Sequence, residues 1–407
     1  MEKVELLAPA GNLEKLKIAV LYGADAVYVG GEEFSLREAA DNFSMEQLEE
    51  GIAFAHKYGV KVYVAVNVIP HNADLQKMRE MVLKIADTQA DAVIVADLGA
   101  FAMIRECAPT LDVHVSTQAN TLNYASACLW YKMGARRVVL ARELSLDEVK
   151  EIREKTPIGL ELEMFVHGAM CVSYSGRCLL SNYMIGRDSN QGNCAQPCRW
   201  KYHLVEERRP GQYMPVYENE HGTFIFNSKD LCLIRRLPEL IGAGVASLKI
   251  EGRVKSEYYV ASVVKAYREA IDEYYRDPEN YAFDPSLLGE LQKVSHRDYW
   301  EGFYGGVAQE GQIYGTSSYI RDYDIIGIVT GYDDADGTAT VIQRNRFFRG
   351  DEVELIQPLI PGFSTHTVDF LQDGEGNDLS SAPHAEMILR MKFGKRVSVY
   401  SMLRKKR

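Results

Sequence analysis

The sequence predicts a (β/α)8 TIM-like barrel with a Cys-rich insertion between strands 7 and 8, followed by a small C-terminal all-β barrel. Three observations carry this prediction. Short Val- and Ile-rich runs without strict alternation recur through the first 250 residues, as strands buried on both faces should read. Segments of good helix formers with helical periodicity separate these runs. Beyond residue 318 the pattern changes to strand-like runs broken by turn signals such as Asp336-Gly337, Arg349-Gly350 and Gly374–Asn377.

In chain order the barrel strands are Val4–Ala8, Ala26–Gly30, Val60–Val66, Ala92–Ala96, Val113–Ser116, Arg137–Ala141, Leu160–Val166 and Ala246–Ile250. Helical patterns fall at Leu13–Tyr22, Met45–Tyr58, Leu75–Ala86, Leu98–Cys107, Tyr124–Met133 and Leu146–Lys155, with a longer one at Ser256–Tyr275. Asn12, Ser44 and Ser145 stand where N-caps belong, and Glu148 completes a capping box with Ser145. Gly23, Gly59 and Gly134 supply C-terminal stops. The expected organisation is a barrel over 1–285 with its insertion at 168–245, a linking region at 286–317, and a β domain at 318–407.

The 407 residues carry 46 Lys and Arg against 57 Asp and Glu, a net charge of −11 that speaks against a generic nucleic-acid coat. A chain this long needs no disulfides to hold a core. No signal-peptide pattern opens the sequence and no apolar run reaches the ~18 residues of a membrane span, so a cytoplasmic location without membrane contact is expected. Cysteines there should be reduced, metal-bound or catalytic. Five of the seven (Cys171, Cys178, Cys194, Cys198 and Cys232) fall within residues 171–232, inside the insertion.

The strand ends place polar residues where barrel enzymes build their sites. They include Asn67, Asp97, Ser116-Thr117-Gln118, Arg142-Glu143, His167-Gly168 and Glu251-Gly252-Arg253. Arg142, Lys249 and Arg253 suit a small anionic ligand, and Glu251 a polar catalytic role. His167, four residues before Cys171, is a candidate for a thiol–imidazole pair.

The spacing Cys171-x6-Cys178-x15-Cys194-x3-Cys198-x33-Cys232 lacks the paired Cys-x2-Cys knuckles of structural zinc sites. Four thiolates from separate turns can hold an iron–sulfur cluster, and five candidates leave one spare. Arg177, Arg187 and Arg199 would lower the thiol pKa values. No zincin His-Glu-x-x-His, nucleophile elbow or Rossmann glycine fingerprint occurs. Basic and aromatic residues interleave at 199–202 and 344–349, and eight Lys and Arg without an acid follow from Arg390, patches that suit RNA phosphates and bases.

The segments Glu5–Asn12, Gly23–Tyr28, Phe165–Arg199 and Ser247–Arg253 resemble the peptidase U32 family, also called the collagenase-like protease family. The resemblance spans essentially the whole chain. It implies an oxygen-independent, prephenate-linked hydroxylation of the wobble uridine of tRNA to 5-hydroxyuridine, with a [4Fe–4S] cluster. The relatives' cluster motif falls on Cys171, Cys178, Cys194 and Cys232, which makes Cys198 the spare thiol. tRNA, prephenate and a paralogous U32 protein are the implied partners. Two other readings stand beside this one: a peptidase of collagen-like substrates, and a non-catalytic tRNA-binding or assembly factor.

Overall fold

The computed structural model describes residues 3–35, 42–171, 173–200, 218–219, 222–223, 228–305 and 319–407. Seven parallel strands follow one another in order: β1 (Glu5–Pro9), β2 (Ala26–Gly30), β3 (Lys61–Ala65), β4 (Ala92–Val95), β5 (Asp112–Val115), β6 (Arg137–Val139) and β7 (Glu161–Ala169). In the insertion, the two-residue strands β8 (Glu218–Asn219) and β9 (Gly222–Thr223) pair with each other, and β10 (Asp230–Cys232) runs antiparallel to the end of β7. The ring closes through β11 (Ser247–Ile250), which pairs with both β1 and β7. The expected eight-stranded barrel is therefore present.

Helices α1 (Leu13–Leu21), α2 (Met45–Lys57), α3 (Leu75–Asp87), α4 (Leu98–Cys107), α5 (Tyr124–Lys132) and α6 (Leu146–Lys155) connect successive strands. Asn12 accepts from the Lys15 amide at 3.0 Å, while Ser44–Gln47 and Ser145–Glu148 form reciprocal capping boxes. Each such cap contributes about 1 kcal/mol. Every residue of β2 and β4 is buried, which explains the unalternating apolar runs. After α7 (Leu180–Ile185) and α8 (Leu237–Gly242), the 20-residue α9 (Glu257–Arg276) buries Tyr259, Val263 and Tyr267 against the barrel. Residues that the sequence assigns to a linking region include α10 (Pro285–Gln292), packed on α9, and β12 (Tyr299–Trp300), paired with β10. Among the described residues, no helix is long and apolar enough to cross a membrane.

Inside the ring, Leu7, Ala26, Tyr28, Tyr63, Ala92 and Ile94 form their own apolar cluster. Below them lies a buried charge network. Arg137 contacts Glu5 at 2.6 Å, Glu161 at 2.7 Å and Glu163 at 3.0 Å, and Lys249 Nζ lies 2.8 Å from Glu163. Taking these charges out of water is costly, and the close opposite charges offset that cost. Burial alone would raise the Glu5 carboxyl, but Arg137, with hydrogen bonds from Arg137, Tyr63 and Ser247, holds it below the usual range. His114 beside them is driven well below its ordinary value by burial and then by Arg137 and Lys249.

The β domain is an antiparallel seven-stranded sheet. Its strands are β13 (Tyr323–Asp333), β14 (Thr338–Gln343), β16 (Glu352–Ile356), β17 (Ser364–Thr367), β18 (Leu371–Asp373), β20 (Ile388–Met391) and β21 (Met402–Lys406). The pair β15 (Phe347–Phe348) and β19 (Ser381–Ala382) lies beside it. Val329, Val341, Phe347, Leu355 and Leu389 share its core. The domain is clamped to the barrel by Arg404, fully buried, whose guanidinium reaches Glu290 of α10 and Glu354 of β16, each at 2.6 Å. The Tyr22 hydroxyl donates across the same joint to the Tyr400 carbonyl at 2.9 Å.

This arrangement corrects the reading of the basic tail as a phosphate-binding patch. Arg390 pairs with Asp336 (2.8 Å), Arg396 with Asp334 (3.2 Å), Lys405 with Asp351 (2.6 Å) and Arg407 with Asp324 (3.0 Å). Five of the eight tail cations, Arg404 included, are thus folded against carboxylates, while Lys392, Lys395 and Lys406 form no ion pair with a carboxylate among the described residues. In the 344–349 patch, Arg344 lies near Glu14 and Glu386, and Arg349 donates to the Asp369 carbonyl. Arg346 is stacked on the exposed Phe348 ring, 4.8 Å from its centroid.

Candidate active site at the barrel mouth

A cavity of about 160 Å³ opens at the carboxyl ends of the strands, where the fold leads one to look. Its floor is made by inward-pointing residues of three strands. Lys249 Nζ, fixed by Glu163, stands 4.5 Å from the Tyr28 ring centroid and 5.5 Å from that of Phe165. Arg142 stacks on the other reach of Phe165 at 4.0 Å, and its Nη1 donates to the Ala169 carbonyl at 2.9 Å. The Arg142 Nε is buried without a hydrogen-bond partner among the described residues. Arg253 reaches the same cavity with Nη1 donating to Ser35 Oγ at 2.6 Å. Gly30 makes that approach possible, because a Cβ there would sit 1.9 Å from the Arg253 Nη1.

Glu251 lines the wall, with Tyr28 Oη donating to its Oε2 at 3.3 Å. Opposite, Asn67 Nδ2 donates to Gln118 Oε1 at 3.1 Å, and this amide pair also faces the cavity. The three cations expected from the sequence and the expected carboxylate therefore share one cavity. Sequence reasoning missed Tyr28, Phe165, Glu163 and Ser35. The legible signal was a charge, Glu163 or Lys249, at alternate positions of otherwise apolar strands.

The insertion forms the outer wall. Cys171, Cys178, Cys194 and Cys198 all line the cavity. The wall is stitched down at two places: Gln191 Nε2 donates to the Ile69 carbonyl, and Ile69 N to the Asn190 carbonyl at 3.2 Å. At Gly176 (φ +72°) a Cβ would lie 2.6 Å from the Gln118 carbonyl oxygen, so this turn sits directly on the loop after β5.

Cys232 is placed elsewhere. It lies buried on β10 opposite His167, hydrogen-bonded with the Tyr267 hydroxyl, and burial pushes its thiol up to about 11. The expected pairing of His167 with Cys171 is likewise not formed. The His167 imidazole is enclosed by Tyr259, Tyr267 and Tyr299, and burial, with His296 and Lys255, lowers it to about 3. His167 serves the site through its backbone, its carbonyl accepting from the Glu251 amide at 2.9 Å. Lys201 and Tyr202 of the expected 199–202 patch, with the Arg199 side chain, lie outside the described residues.

The cavity thus joins four thiols, three cations, one carboxylate and an amide pair. Among the described residues, no three His, Cys, Asp or Glu side chains gather closely enough to hold a single metal ion. A polynuclear iron–sulfur group asks instead for thiolates spread around its perimeter, and four cysteines line this cavity.

Comparison with known proteins agrees with this architecture in both parts. Residues 11–313 match Peptidase family U32, and 321–404 match the Peptidase family U32 C-terminal domain. The tRNA hydroxylation protein P1 of Bacillus subtilis is 45% identical over 405 residues, covering 99% of this chain and 95% of the relative. The 23S rRNA 5-hydroxycytidine C2501 synthase of Escherichia coli is 37% identical over 66% of this chain and 39% of its own length. A protein named Collagenase from Porphyromonas gingivalis is 36% identical over 74% of this chain and 73% of the relative. The chain belongs to peptidase family U32.

Proposed function

We propose that this chain is an RNA-modifying enzyme that hydroxylates a pyrimidine base, with tRNA as its substrate and the wobble uridine as its target. The observation that carries the reading is the convergence of four cysteines and three cations on one cavity. Two relatives bear the names of RNA hydroxylation proteins acting on different RNAs. A base in a folded RNA must leave its stack to enter such a site.

Cys171, Cys178, Cys194 and Cys198 would hold a [4Fe–4S] cluster, with Cys198 in the place that the family resemblance gives to Cys232. The cluster supplies one-electron chemistry when bound. Arg142, Lys249 and Arg253 bind a small carboxylate co-substrate, of which prephenate is the candidate implied by the resemblance. Lys249 is held in position by Glu163, so its charge enters the cavity already oriented. The Asn67–Gln118 pair offers both a donor and an acceptor to the edge of the base. Glu251, oriented by Tyr28, is the group able to accept a proton from the ring.

The test is iron and sulfide analysis of protein purified without oxygen, together with tRNA nucleoside analysis in cells carrying Cys171→Ala. The expected result is near-stoichiometric cluster in the native chain and loss of the hydroxylated nucleoside in the variant. Absent iron, or intact hydroxylation in the variant, refutes the reading.

A further inference from the structure

We propose that the outer wall of the cavity, residues 174–200, is the docking surface for the single-stranded part of the RNA substrate, an inference that rests on the RNA-hydroxylation reading. Arg177 and Arg187 meet its phosphates, while Tyr183 and Trp200 stack its bases.

Four observations carry this. First, the wall exposes apolar side chains that a folded domain normally covers: Tyr183 is 88% exposed, Leu179 67% and Trp200 41%. Aromatic faces beside the cavity suit stacking, which tolerates any base. Second, its charge differs from that of the chain. Residues 168–200 hold Arg177, Arg187 and Arg199 against Asp188 alone, a net +2 within a protein of net −11.

Third, the two arginines are available. Neither Arg177 nor Arg187 has a carboxylate partner among the described residues, and Arg187 Nε is steadied by Asn193 Oδ1 at 2.6 Å. In the β domain, by contrast, Arg390, Arg396, Lys405 and Arg407 are each matched to an aspartate. Fourth, a second cavity of about 420 Å³ adjoins the first, sharing Gln118, Gly176 and Asn190 with it. Arg177, His71 and Leu98 line it together with Asp97 and Asp188, so a strand with one base in the inner cavity would extend along a neighbouring hollow that holds Arg177. Wall, cations and groove lie on one side of the mouth.

The experiment is filter binding of unmodified tRNA, taken from a strain lacking this gene, to full-length protein purified without oxygen at several salt concentrations. Arg177→Ala/Arg187→Ala should raise Kd about tenfold and flatten the slope of log K against log salt by about 1.4, two single-strand phosphate contacts at roughly 0.7 each. Tyr183→Ala should raise Kd at least about fivefold with the slope unchanged. Arg396→Ala/Arg407→Ala in the β domain should leave Kd within about twofold. All these side chains are exposed or partly exposed at the surface, so folding should persist.

Unchanged Kd and slope in the wall variants overturn the inference. So does a complex between copies of the chain that Tyr183→Ala dissolves while Kd for RNA stays the same. If the wall variants bind normally while Cys171→Ala still abolishes hydroxylation, this inference fails and the RNA-hydroxylation reading survives. If the native chain shows no salt-dependent tRNA binding and hydroxylation persists in Cys171→Ala cells, the reading itself fails.

Discussion

Arginine is placed in opposite settings in two regions of this chain. Around the barrel mouth, Arg142 stacks on Phe165 with a buried Nε lacking any hydrogen-bond acceptor, and Arg177 and Arg187 have no carboxylate partners among the described residues. Along the end of the β domain, Arg390, Arg396, Arg404 and Arg407 each meet an aspartate or glutamate. A cation paired with a carboxylate presents less net charge to a phosphate, and Lys249, itself paired with Glu163, acts on an anion only together with Arg142 and Arg253. The difference teaches that a basic run in the sequence marks an anion site only where the fold withholds the counter-charges.

The sharpest way to break that contrast lies at Arg404. Arg404→Met removes the buried one of two cations shared by Glu290 and Glu354 and leaves only the partly buried Lys293 between them. Stability in urea should fall by about 3 to 5 kcal/mol. A loss under about 1 kcal/mol would show that the tail's ion pairs are not what seats the β domain. Next comes the cysteine set. Cys198→Ser should reduce hydroxylation by more than about 100-fold and remove iron from anaerobically purified protein, whereas Cys232→Ser should retain the iron. The reverse pattern would move the ligand set back to the sequence-based choice.

A smaller effect concerns the wall behind the mouth. His167 has a folded value of about 3 against an ordinary value near 6.5, and His114 is shifted the same way. Below pH 6.5 the unfolded chain binds protons that the folded chain refuses, so stability is fully present above that pH and falls as pH drops toward 3. The contribution of His167 should approach a slope of about 1.4 kcal/mol per pH unit at about pH 5, with His114 acting in the same direction, and His167→Gln should flatten the curve measured by urea titration. The smallest effect is expected from Arg396→Ala, an exposed pair with Asp334, which should change stability by no more than about 0.5 kcal/mol.

Much of the barrel was readable from local pattern. The caps at Asn12, Ser44 and Ser145 and the apolar runs that became β2, β4 and β5 depend on neighbours within a few residues. Cys171, Cys178, Cys194, Arg142, Lys249, Glu251 and Arg253 were also legible as a group, because strand ends of a barrel meet at one face. Contacts made at long separation were not legible. Arg137 meets Glu5 132 positions away, and Lys249 meets Glu163 86 positions away. The aspartates that match the tail come from 324–351, so reading 390–407 by itself hides them. Spacing could not choose between Cys198 and Cys232, since only the antiparallel pairing of β10 with β7 carries Cys232 into the wall behind the cavity.

The cysteine-bearing segment leaves the barrel at β7 and returns at β11, two strands that are themselves hydrogen-bonded neighbours. Its two ends are thus held together by the ring whether or not anything binds between them. Construction of the scaffold and loading of the cofactor become separable events, and damage to the second need not undo the first. With the proposed cluster, a chain that lost its iron to oxygen would remain a folded recipient for a new one. Chelation should therefore abolish hydroxylation while leaving the main unfolding transition in place.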